Sequence, residues 1–184
     1  MAVLPVRRLV SVEDYHRMAE AGILTERDRV ELIDGEIINM GHIESKCAGH
    51  VNKINAILSR LLKKSAVVSV QNPVHLNNFS EPEPDIAVLR PSPDFYISHH
   101  PRPEDIHLVI EVSDSSLNWD RENKLPMYAA AGIKECWLID IAEQEIEIYR
   151  TPSDRIYKYR EIARENDTIT LSDFDLTISV NDIL

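Results

Sequence analysis

The chain has 184 residues, 43% of them hydrophobic and 28% charged, which is enough apolar material to bury the core of one soluble domain. Its formal net charge of −11 argues against binding nucleic acid by charge alone, although a bound metal ion can reverse the sign locally. No apolar run approaches the roughly 18 residues of a membrane span, the opening "MAVLPVRRLVSVEDY" has no signal-peptide core, and two distant cysteines, Cys47 and Cys136, cannot make a disulfide framework. The expectation is a cytoplasmic protein with buried free thiols.

Ser11, followed by Glu13 and Asp14, predicts a helix start, with the hydroxyl as N-cap and acids in the first turn, ending near Gly22. In "RVELIDGEIINM", Asp34-Gly35 between two apolar runs predicts a hairpin. Residues 44–64 carry Val51, Ile54, Leu58, Leu61 and Leu62 at helical spacing, with Lys53, Arg60, Lys63 and Lys64 mostly off that stripe. "AVVSVQNPVHL" is β-branched but broken by Pro73, so it reads as one bent strand or two short ones. A strand over 85–90, a loop with Pro91, Pro93, Pro101 and Pro103, and the buried strand "IHLVIEVS" follow. Asn118 is placed to cap a helix running to Ala131 and closed by Gly132. "KECWLIDI" reads as a buried strand, "QEIEIYR" and "RIYKYRE" as an antiparallel pair around a Pro-Ser-Asp turn, and "DTITLSDFDLTISV" as a further β segment. This order predicts an α/β (α+β) fold: a mixed sheet flanked by helices, with an N-terminal β-ribbon and C-terminal hairpins, in one domain over 1–184 whose core spans 44–141.

"EPEPDIAVLRP" sets Asp85 at the mouth of an apolar strand, and "HLVIEVS" sets Glu111 near the end of another. If those strands are antiparallel neighbours, the two ends coincide and the carboxylates face each other. Like charges so placed repel unless a proton or cation intervenes. Two carboxylates with several waters are what Mg²⁺ prefers; two unrelated acids facing water are the ordinary alternative. Lys124 lies in the predicted helix after Glu111 and shares a face with Tyr128, beside a packing stripe of Leu125, Ala129 and Gly132. An ammonium there can reach Glu111, to position an attacking water or stabilise charge on phosphate, or it is a solvated helix lysine. Asp120 can hold Lys124 from one turn away, or form a solvated pair. Ser113, Asp114, Ser115 and Ser116 are turn and cap residues after the strand. His50 either touches phosphate or water near the metal or is an ordinary helix histidine. His99-His100 reads as an exposed loop pair without further ligands at fixed spacing.

Taken in order, "PD" at 84–85, "EVS" at 111–113 and a lysine one helix later resemble the PD-(D/E)-x-K nuclease superfamily. "VELIDGEI", "EPDIAVL", "LVIEVSDSS", the Asp120 and Lys124 pair, "YAAAGIKECWLID" and "IEIYR", spread over residues 29–150, resemble its Uma-two family of restriction endonucleases. The superfamily's lysine two residues after the acid is Ser113 here; the Uma-two pattern moves it to the following helix, where Lys124 stands. The resemblance implies a restriction-endonuclease-like sheet and metal-dependent hydrolysis of DNA. It makes Asp85, Glu111 and the backbone carbonyl of Val112 ligands of Mg²⁺, for which Mn²⁺ can substitute. It makes Lys124 the group that orients the attacking water, and Glu31 a further ligand or supporting contact. DNA is then the substrate, no membrane is involved, and a homodimer would suit the cutting of both strands. The competing expectation is a catalytically inactive module that keeps the fold and binds nucleic acid or a protein partner, favoured by the charge of −11 and the missing E-x-K lysine. No zinc finger, helix-turn-helix or basic aromatic stripe points to a target sequence.

Overall fold

The computed structural model describes residues 7–25, 27–114 and 116–184. At its centre six strands pair in the order β3 (Val67–Val70), β4 (Ile86–Leu89), β5 (Ile106–Ser113), β6 (Glu135–Asp140), β7 (Glu145–Ser153) and β8 (Ile156–Ala163). Every pairing is antiparallel except β5 with β6, which is parallel. A hairpin cannot join parallel neighbours, so the chain crosses one face of the sheet through a helical segment, 117–130. This is the mixed sheet with flanking helices that the element order predicted.

Side-chain alternation divides the core in two. Ile86, Val88, Leu108 and Ile110 face α2 (Ser45–Leu62), whose stripe is Val51, Ile54, Leu58 and Leu62. The C-terminal hairpin, β9 (Thr168–Leu171) with β10 (Leu176–Ser179), closes that side with Ile169, Leu171 and Ile178. Ala87, Leu89 and Val109 face the other way, onto Leu125, Met127 and Tyr128 of the crossover helix and Ile33 of the N-terminal hairpin. By the same parity Asp85 and Glu111 belong to the crossover side. Among the described residues no helix is long and apolar enough to cross a membrane.

Local chemistry set several boundaries. The Ser11 hydroxyl accepts the Asp14 N–H at 3.1 Å and starts α1 (Val12–Glu20). Asp34 and Gly35, at φ of 47° and 79°, turn β1 (Val30–Ile33) into β2 (Glu36–Asn39). A Cβ on Gly35 would stand 2.6 Å from the Leu9 Cβ, so nothing larger fits there.

Four expectations are corrected. After β3 the stretch around Pro73 makes no second sheet strand; Glu81 instead donates its N–H to the Leu32 carbonyl at 2.8 Å, tying the segment to β1. The crossover helix begins at Leu117, with Ser116 at the N-cap two residues before the predicted cap, and Asn118 instead accepts a hydrogen bond from Arg121. Within that helix Asp120–Lys124 forms a π turn, a widening that no local sequence signal announced. The β7–β8 turn is Asp154-Arg155, Pro152 and Ser153 still being strand. Cys136 is buried as expected, whereas Cys47 is only half-buried. Ser115 lies outside the described residues.

Candidate active site

The antiparallel register of β4 and β5 places Ile86 opposite Ile110, so Asp85 and Glu111 come next along the ladder. The Asp85 N–H donates to Glu111 Oε2 at 3.4 Å, and the Val112 N–H donates to Asp85 Oδ2 at 2.9 Å. Gln71, one residue beyond β3 and in register with Asp85, donates from its side-chain amide to Asp85 Oδ1 at 3.1 Å. Sequence reading passed over Gln71, although continuing the β3–β4 register by one residue finds it.

The crossover helix brings the cation. Lys124 Nζ lies 3.2 Å from Glu111 Oε1 and 3.3 Å from Glu31 Oε2, and all three side chains are buried. The Tyr128 hydroxyl donates to the same Glu111 Oε1 at 2.6 Å. Tyr128 is four residues from Lys124, and that spacing was the available clue to it. Glu31 reaches the site because β1 alternates: Glu31 and Ile33 point at the crossover helix, and Glu31 also accepts the Glu83 N–H at 3.1 Å.

The remaining expected residues are placed as follows. Asp120 does not bond Lys124; its carboxylate accepts the hydroxyls of Ser113 and Ser116, and it acts on Lys124 only through space. Ser113 is therefore bound to the crossover helix rather than directed at the carboxylate pair. His50 is not brought to the site: its Nδ1 meets the Lys46 carbonyl one turn back on α2. His99 and His100 are exposed in the proline-rich loop.

Glu31, Gln71, Asp85, Glu111, Asp120 and Lys124 line a cleft of about 370 Å³, together with Arg29, Cys47, Glu83, Asp114 and Trp119. Its charge balance is lopsided. Burial pushes the Glu111 carboxyl up to about 8; Lys124 pulls against this, but Asp85, Asp120 and Glu31 push the same way as burial. Burial also raises Asp120 and Glu83. For Lys124 burial alone would favour the neutral amine, yet Glu111, Glu31, Asp120 and Asp85 outweigh it and its pKa is raised. It is a fixed cation and a hydrogen-bond donor, not a base. Burial, then the charges of Asp114 and Asp85, raise the Cys47 thiol above its ordinary value and disfavour the thiolate.

Among the described residues no three His, Cys, Asp or Glu side chains are arranged to hold a metal ion. A ready-made zinc-type cage is therefore not formed among the described residues. What the strand ends offer is two carboxylates short of positive charge, with room beside them for water. This donor chemistry fits a hard divalent cation that keeps much of its hydration, as Mg²⁺ does.

A family model described as "Uma2: Putative restriction endonuclease" matches residues 12–181. The chain belongs to the Uma2 family. That membership supports a nuclease role. This Uma2-family chain is also similar to a solved structure from Anabaena variabilis ATCC 29413, described as "a putative nuclease belonging to DUF820". The two are 17% identical and superpose with a TM-score of 0.74, over 95% of this chain and 97% of that one. At that identity the likeness speaks for the fold. No curated protein matches the chain significantly.

Proposed function

We propose that this chain is a divalent-metal-dependent endonuclease that hydrolyses DNA phosphodiesters in the cleft where β4, β5 and the crossover helix meet. The observation that carries the reading is the convergence of Asp85, Glu111 and Lys124 from three elements on one buried, acid-rich point. Asp85, Glu111 and the Val112 carbonyl are the groups to hold Mg²⁺, or Mn²⁺ in its place. Such an ion supplies Lewis acidity to the phosphate and makes the attacking water more acidic.

The protein's own side chains divide the remaining work. Tyr128 and Lys124 both occupy Glu111 Oε1, so Oε2, on the Asp85 side, is the oxygen left for a ligand. Glu31 holds Lys124 from the other side and keeps its ammonium at the cleft. From there Lys124 donates hydrogen bonds that orient the nucleophile and stabilise charge growing on the phosphate oxygens. Burial raises the Glu111 carboxyl to about 8, so a metal ion held there would compete with a proton and would bind more tightly as pH rises.

The test is cleavage of supercoiled plasmid and of circular single-stranded DNA with Mg²⁺ or Mn²⁺. The wild type should cut at least one of the two, and Asp85→Ala and Lys124→Ala should each lose about 100-fold or more in rate on it. Unchanged cutting by both variants would remove these residues from the reaction and the reading with them.

A further inference from the structure

We infer that the strand entering this cleft is single-stranded DNA, held by stacking one unpaired base on Trp119. The inference rests on the nuclease reading and narrows its substrate. Trp119 is half-buried, packed against the crossover-side core and lining the cleft, immediately before the π turn that carries Asp120 and Lys124. Its backbone carbonyl accepts the Asn123 amide at 2.9 Å, which fixes the residue at the head of that turn. Met40 and Ile43, on the connection from β2 to α2, add apolar surface to the same cleft. In proteins that hold single strands, aromatic rings in the groove are platforms on which unstacked bases rest, whatever their sequence.

Charge points the same way. Outside the central carboxylates the cleft is lined by Glu44, Glu83 and Asp114, against Arg29 as the one further arginine or lysine among its lining residues. Lys46, close by on α2, is paired with Asp114 at 3.6 Å. A duplex brings about one negative charge per 1.7 Å of axis, twice the density of either strand alone, and meets this rim at the greater electrostatic cost. In a duplex, moreover, no base face is free to meet Trp119.

The chain has two tryptophans, and Trp137 is fully buried, so Trp119 is the one that a ligand can quench. With Ca²⁺ replacing Mg²⁺ to prevent turnover, short oligothymidylate should quench the emission of the full chain, and a duplex of equal length should not at the same strand concentration. Anisotropy of labelled oligothymidylate should place Trp119→Phe within a few-fold of wild type, because a ring remains. Trp119→Leu should bind about five- to 100-fold more weakly. Far-ultraviolet circular dichroism and Mg²⁺ calorimetry on Trp119→Leu verify that fold and carboxylate pair persist. Equal binding of duplex and single strand, or undiminished binding by Trp119→Leu, overturns the inference; if plasmid is cut meanwhile, the nuclease reading stands without it. A wild type that binds neither Mg²⁺ nor either oligonucleotide overturns both.

Discussion

Glu111 and Glu147 are both sealed under the crossover helix, 3% and 0% exposed, and their surroundings differ in the count of cations. Glu111 shares one ammonium, Lys124, with Glu31, and has Asp85 alongside. Glu147 accepts Arg121 at 2.6 Å and Arg160 at 2.9 Å, and the Tyr149 hydroxyl as well. Burial raises both carboxyls. At Glu111 it wins, and the group titrates at about 8. At Glu147 the hydrogen bonds from Arg121 and Tyr149 and the charges of Arg121 and Arg160 win, and it lies below the ordinary range. One helix supplies a cation to each, Arg121 and Lys124 three positions apart. A buried charge that the fold neutralises in full is architecture; one left short of a cation is where something from outside can bind.

That contrast can be broken by mutation. The largest effect should come from Lys124→Met, which keeps volume and removes the ammonium, leaving Glu31, Glu111 and Asp85 without a counter-charge. Urea denaturation at neutral pH should show a loss of about 3–5 kcal/mol, recovered on acidification or by adding Mg²⁺. A loss that ignores both pH and Mg²⁺ would mean that packing, not charge, is at stake.

Glu147→Gln should cost about 1–3 kcal/mol at neutral pH, since its two arginines reach solvent. The two glutamates should also shape opposite arms of the stability profile. Glu111 has a raised value, so between the ordinary carboxyl pKa and about 8 the native state holds the extra proton, and stability falls as pH rises through that window. Glu147 has a depressed value; its contribution is present above the ordinary carboxyl pKa and is lost as pH falls through the depressed one. Glu111→Gln should flatten the alkaline arm and Glu147→Gln the acid arm, and melting curves across pH that flatten the same arm in both would erase the distinction.

A smaller change sharpens the picture of Glu111 alone. Tyr128→Phe frees Oε1 and should weaken Mg²⁺ binding about tenfold by calorimetry; unaltered affinity would make Tyr128 a packing residue only. The smallest effect belongs to His50→Ala, which should stay within about 0.5 kcal/mol and cut DNA as wild type does. Lost cutting would bring α2 into the reaction.

Much of this was legible in the residues, for reasons that differ by element. Ser11, Asp34-Gly35 and "IHLVIEVS" carry local rules strong enough that cap, turn and strand fall where they predict. The meeting of Asp85 with Glu111 followed from two apolar strands and one assumption, antiparallel pairing. The rest depended on contacts between distant segments. The segment Asp120–Lys124 forms a π turn, and there Asp120 meets Ser113 and Ser116 rather than Lys124. Gln71 and Tyr128 lie among apolar neighbours and read as ordinary strand-end and core residues until the register and the helix face are known. His50 looked chemical because histidine often is, yet the nearest acceptor was its own helix.

The parallel pairing of β5 with β6 also governs when the cleft can be completed. Asp85 and Glu111 are translated before the crossover, Lys124 and Tyr128 within it, and the crossover has nothing to anchor its far end until β6 docks beside β5. That docking joins residues distant in sequence and is a slow kind of contact to make. A nascent polypeptide that stops short of β6 therefore lacks the strand that holds the far end of the segment bearing Lys124 and Tyr128.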